Sequence, residues 1–210
     1  MRSIHDSSNA DVNFYDSIFT STKLGKFVYD ISNVYIPKDY SMKSLFKEFT
    51  HITDASSIKI YGSCNSCFNM FNGCTALVTP PDMSNVTSIG DSGCFSMFAG
   101  CSSLTITPDL SNVTSIDRLG CGNMFRNCTS LKKAPELPAT KLVMQCYEYM
   151  FNRCSSLNYV KCSARNITAN SALNYWLEGV AQTGTFVKRS GISYPSGSNG
   201  IPKGWTIQNF

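Results

Sequence analysis

CFSMFAGCSSL, at residues 94–104, decides the fold, because the chain carries variants of it four times. The others are CFNMFNGCTAL at 67–77, CGNMFRNCTSL at 121–131 and CYEYMFNRCSSL at 146–157, and all share the string M-F-x-x-C-x-x-L. Its columns are Met70, Met97, Met124 and Met150; Phe71, Phe98, Phe125 and Phe151; Cys74, Cys101, Cys128 and Cys154; and Leu77, Leu104, Leu131 and Leu157. The methionines follow one another at spacings of 27, 27 and 26 residues. Self-similarity at a fixed period of roughly 20 to 50 residues marks a stacked repeat, in which each unit buries its apolar face against its neighbours.

Between the strings runs a second pattern, TPPDMSNVTSIG at 79–90 and TPDLSNVTSID at 107–117, which decays to APELPATKLV at 134–143. Upstream, Leu45, Phe46, Phe49 and Ile52 occupy the same four columns with phenylalanine in the cysteine place, which reads as a degenerate first coil. Terminal repeats drift from the pattern because one of their faces has no sister coil to match.

The Met-Phe, Cys and Leu positions are apolar at a spacing of three, which fits a short helical or 3-10 stretch with its apolar side inward. The Leu-x-Ile/Val segments that follow, as from Leu104 to Ile106, alternate and read as short parallel strands. Pro81, Pro108 and Pro135 would end those strands, since proline cannot donate to a central ladder. The expected fold is therefore a repeat solenoid. Its leucine-rich-repeat-like coils combine a short parallel β-strand with a short helix or 3-10 turn and stack at roughly 4.8 Å, with non-repeat caps at both ends. One degenerate and four full coils are expected at 42–160, an N-terminal arm and cap at 1–41, and a C-terminal cap at 161–210. Within that last cap, 171–181 reads as a helix ended by Gly184, and Trp176 and Trp205 would plug the open end of the solenoid.

With M-F-x-x-C-x-x-L and N-V-T-S-I-G in hand, residues 45–157 resemble BspA-like leucine-rich repeats. The unit of that family reads roughly A-F-x-x-C-x-x-L followed by I-P-x-x-V-x-x-I-G. Here methionine stands at the usual alanine position and the coil is a few residues longer. The family is abundant in surface proteins of Bacteroidetes and some protists, and similar arrays occur in phages that infect gut Bacteroidetes. The resemblance implies adhesion, protein binding or structural display, with no chemistry and no cofactor.

Composition agrees with a solenoid: 42% of residues are hydrophobic and only 15% charged, so solubility rests on Ser, Thr, Asn and Gly. A net charge of +4, scattered mostly as single residues, gives nucleic-acid binding little support. Residues 118–165 lean basic through Arg126, Lys132, Lys133, Lys141, Arg153 and Lys161, which reads as solvated loop charge. The opening residues hold no basic stretch followed by an apolar run, so no secretion signal is expected, and no apolar run approaches the ~18 residues of a membrane span. Joined to the missing secretion signal, the resemblance to phage-borne arrays implies a virion as the expected location, with the chain as a decoration or fibre-associated component that is assembled in the host cytoplasm and meets capsid or tail proteins within an oligomeric assembly. A bacterial cell-surface adhesin that binds a host protein or glycan is the alternative.

Most of the ten cysteines sit in repeat columns, where they read as reduced, buried thiols rather than a disulfide framework. The one C-x-x-C, Cys64 with Cys67, lacks two further zinc ligands at sensible spacing. Gly90, Asp91, Ser92 and Gly93 copy the tetrapeptide around a serine-protease nucleophile, but no histidine stands in a matching context to serve as its base. Asp82, Asp109 and Glu136 recur at the repeat period as turn residues would, so a glycan hydrolase, which needs two carboxylates facing each other across a cleft, is the weaker reading. No catalytic, metal or cofactor residue is expected. The candidate binding surface is Asn72, Ala99, Arg126 and Asn152, one position beyond each Met-Phe pair, together with Arg153.

Overall fold

The computed structural model describes residues 42–210, so the arm and cap expected at 1–41 lie outside the described residues. Each M-F-x-x-C string folds as a ribbon of linked turns. In the coil at 94–101, the amides of Met97, Ala99 and Cys101 donate three residues back, to the carbonyls of Cys94, Ser96 and Phe98 at 3.2, 3.1 and 3.0 Å. The amides between them, of Ser96, Phe98 and Gly100, donate instead to the next coil, to Gly122, Met124 and Arg126 at 2.9, 2.9 and 2.7 Å. The alternation is kept by a left-handed residue at every fourth position: Ser92 (φ 56°), Ser96 (53°) and Gly100 (78°) here, then Leu119, Asn123 and Asn127 in the following coil.

The short helix or 3-10 turn expected in each coil does not form. A helix commits each interior amide to a carbonyl four residues back in the same segment, and a left-handed residue in every turn, at roughly 1–2 kcal/mol where it is not glycine, breaks that pattern. Half of the ribbon's amides are spent on the neighbouring coil, so the stack is bonded as a parallel sheet would be. An apolar spacing of three suits both arrangements, because turns closed three residues back occur in both.

Residues 171–181 are not a helix either. Ser171, Tyr175 and Gly179 are left-handed (φ 56°, 50° and 73°), and the carbonyls of Asn174, Trp176 and Glu178 accept from Tyr149, Phe151 and Arg153. This segment is the last ribbon of the stack, with Trp176 in the methionine column and Leu177 in the phenylalanine column. At the other end Phe46 and Glu48 donate to Met70 and Asn72, which continues the stack through Leu45 and Phe46. The described residues thus form a parallel β-solenoid of about six turns.

Three parallel strands, β1 (Lys59–Cys64), β2 (Asp82–Ile89) and β3 (Ser115–Ile116), pair in that order along a second side of the coils. A second set, β4 (Tyr159–Cys162), β5 (Thr185–Lys188) and β6 (Thr206–Asn209), pairs in the same way further along the chain. The strand expected from Leu104 to Ile106 is absent, and Ile106 is 53% exposed. In these coils the N-V-T-S-I segment supplies the strand, with Val86, Ile89, Val113 and Ile116 turned inward. Pro81 immediately precedes β2, so proline marks the start of a strand there and not its end.

All sixteen Met, Phe, Cys and Leu residues of the four strings are fully buried. The phenylalanines stack in file from Phe46 to Phe71, Phe98, Phe125 and Phe151, with ring centroids 5.2, 5.7, 5.5 and 5.5 Å apart and planes within 18° of parallel. Such pairs contribute about 0.5–1.5 kcal/mol beyond the area they bury. Phe98 lies mid-file, so Phe98→Ala should cost about 3–5 kcal/mol in urea denaturation. A loss below about 1 kcal/mol would contradict a continuous file.

A candidate binding groove on the outward ribbon

Between the inward Phe and Cys of each string lie two residues, which face outward in the first three strings, and the second is left-handed in all four: Gly73, Gly100, Asn127 and Arg153 have φ of 77°, 78°, 62° and 61°. Stacking brings these pairs side by side. Asn72, Gly73, Ser96, Ala99, Gly100, Asn123, Arg126 and Asn127 line a groove of about 260 Å³. Its floor is low because two coils contribute bare backbone: a Cβ added at Gly100 would lie 3.6 Å from the Gly73 Cα.

Arg126 is the one charged residue lining the groove. Its guanidinium carbon lies 5.8 Å from the ring centre of Tyr149, which itself stacks on Tyr175 at 5.1 Å. The Arg126 Nε is buried with no acceptor in the protein. The ion pairs among the described residues join Lys47 to Glu48, Arg118 to Asp91 and Lys161 to Glu136, so no carboxylate within 4.0 Å neutralises Arg126.

Three of the five sequence candidates, Asn72, Ala99 and Arg126, therefore share one groove. Asn152 does not join them: it is buried, and its amide nitrogen donates to Glu178 Oε2 at 2.9 Å. Arg153 is exposed and lies outside the lining. Sequence reasoning missed Gly73, Ser96, Gly100, Asn123, Asn127 and the Tyr149 support. A signal was present, since Ser96 and Asn123 share the column before methionine, and Gly73, Gly100 and Asn127 the column before cysteine.

All ten cysteines are buried and none is in a disulfide. Four of them bond the ribbons together, as the thiols of Cys74, Cys101, Cys128 and Cys154 donate to the carbonyls of Phe46, Phe71, Phe98 and Phe125 at 2.9, 3.1, 3.1 and 2.9 Å. Burial pushes the Cys74 and Cys154 thiols up from 9.0 to about 12, and those of Cys101 and Cys128 upward too. Cys64 differs. Hydrogen bonds with Cys67, and then with Cys94, whose sulfur lies 3.2 Å away, hold its thiol low while its two neighbours are raised.

No group of three His, Cys, Asp or Glu side chains arranged to hold a metal occurs among the described residues. Ser92 donates to Asp91 Oδ1 at 3.0 Å, and Asp91 pairs with Arg118 at 3.3 Å. Asp82 and Asp109 accept the amides of Ser84 and Ser111 at 3.0 and 2.8 Å, the bond that an aspartate makes to stabilise a turn. No helix among the described residues is long and apolar enough to cross a membrane. The fold defines the class, a parallel β-solenoid with an outward groove. In comparisons with known protein families, curated proteins and solved structures, none matches this chain.

The raised thiols set a pH dependence. An unfolded thiol ionises near pH 9 and the folded Cys74 and Cys154 near 12, so between these values the folded chain holds more protons. Their contribution to stability is complete below pH 9 and is lost as pH rises toward 12. Thermal melts from pH 7 to 11 should show Tm falling above about pH 8.5, with a shallower fall in a Cys74→Ala, Cys154→Ala double variant. Equal slopes in the two proteins would contradict the assignment.

Proposed function

We propose that this protein is a non-enzymatic structural and interaction component of a phage particle, a decoration or fibre-associated subunit that presents the outward ribbon of its solenoid to a partner. One observation carries the reading: a division of labour within M-F-x-x-C. The Met, Phe and Cys positions repeat and are buried, while the pair between Phe and Cys changes from Asn-Gly to Ala-Gly to Arg-Asn and lines a groove. A repeated core with a varied outer edge is the construction of a binding scaffold, since recognition can be altered without touching stability.

The sequence resemblance to BspA-like repeats supports display rather than chemistry. Ten unbridged cysteines suit assembly in a reducing cytoplasm, where a virion is built; a small secreted protein would put such a cysteine density into disulfides. The partners are capsid or tail proteins or a host surface protein or glycan, and the subunit works within an oligomeric assembly. A bacterial cell-surface adhesin would use the same scaffold and differ in where the chain resides.

Mass spectrometry of purified particles and of the membrane fraction from the same culture separates the two. The polypeptide is expected at a fixed stoichiometry with capsid or tail proteins. Its recovery on cell envelopes alone would refute the virion assignment and favour the adhesin.

A further inference from the structure

The Arg126 groove suits a particular ligand chemistry, and the inference rests on the reading of the outward ribbon as a binding surface. Arginine keeps its charge at any physiological pH and presents its N–H donors in a fixed plane. Here the guanidinium carbon lies over the Tyr149 ring and the Nε is buried without an acceptor, so the terminal N–H groups are the donors a ligand meets. Two parallel terminal N–H donors, presented end-on to a ligand, match the two oxygens of a carboxylate. The groove holds no second cation, which favours a singly charged group over a phosphate monoester of about −1.5 to −2.

The rest of the lining is amide, hydroxyl and backbone. Asn123 and Asn127 bring amide donors and an acceptor, Asn72 adds its amide with one donor already given to Asn69 Oδ1 at 3.5 Å, and Ser96 adds a hydroxyl, which is the complement of a ligand polar on every edge. A protein partner is anchored instead by aromatic or apolar side chains at the centre of its interface. None of the exposed large hydrophobic side chains lines this groove. At about 260 Å³ it also falls below the volume of a drug-sized pocket, roughly 300–1,000 Å³, and admits a single ring. We infer that the groove is a subsite for the carboxylate-bearing sugar of an acidic glycan, with Arg126 pairing the carboxylate and the flanking amides pairing the ring hydroxyls.

The test is a titration of the full ¹⁵N-labelled chain followed by NMR. Two carboxylate sugars, sialyllactose and a galacturonic acid trimer, are compared with lactose, a galactose sulfate ester and polyglutamate. At least one carboxylate sugar should move the Arg126 Nε–Hε signal and the Asn123 and Asn127 side-chain amides. Arg126→Gln should weaken that binding roughly tenfold or more, with its urea unfolding transition unchanged, while Arg153→Gln leaves the binding intact. Silence with both carboxylate sugars, an equal response to lactose, the sulfate ester or polyglutamate, or unchanged affinity in Arg126→Gln would overturn the inference. Co-purification with particles reads the wider proposal separately. If both sugars fail while the chain still travels with the particle, the inference falls and the interaction module stands.

Discussion

Every second amide of the ribbon belongs to the neighbouring coil, and the remainder of the structure follows from that. Once Phe98 donates to Met124 and Phe125 to Met150, equivalent residues of successive coils are held in register. Identical side chains then fall one above another, and the period of the sequence becomes a period in space. Phenylalanine can stack in file because its plane repeats with the backbone, with 2° to 18° between successive rings. The cysteine has to be small, and its thiol donates to the phenylalanine carbonyl of the preceding coil. The Phe71 carbonyl takes the Cys74 amide of its own turn at 3.1 Å and the Cys101 thiol of the next coil at 3.1 Å, which fills both lone pairs.

The left-handed positions bear the cost of this arrangement and shape the outer edge. Glycine or asparagine stands at Asn69, Gly73, Gly100, Asn123, Asn127 and Gly179, the residue types that tolerate positive φ best. Where they cluster between Phe and Cys, the outer edge thins to backbone and amide, and a groove opens across three coils. The same residues that let the ribbon turn therefore supply the lining of the candidate site. Arg126 adds the charge, and its seat over Tyr149 comes from the coil that follows.

The solenoid was legible because M-F-x-x-C-x-x-L recurs four times, and periodicity survives any misjudgement of local conformation. The conformation itself was not legible, because an apolar residue every third position suits a helix as well as a chain of turns. What separates them is where alternate amides go, and that depends on a neighbour about 27 residues away. The last coil was hidden for a related reason. Trp176 and Leu177 fill the Met and Phe columns with different letters, so an alanine-containing stretch read as a helix although Leu177 keeps the 26-residue spacing from Phe151. Of the candidate surface, Asn72, Ala99 and Arg126 were found by column. Asn152 shares the column but is drawn inward by Glu178, a partner 26 residues on that no local pattern announces.

The central claim is the alternating bond between coils, and scalar couplings transmitted through hydrogen bonds measure it directly. In the ²H,¹³C,¹⁵N-labelled chain, the Phe98 amide nitrogen should couple to the Met124 carbonyl carbon, and that of Phe125 to Met150, while Met97 couples to Cys94 and Met124 to Cys121. Coupling of Phe98 to Cys94 or Phe95 instead would mean that the string is helical, and the account of the ribbon, its thiol ladder and its outward groove would fall with it.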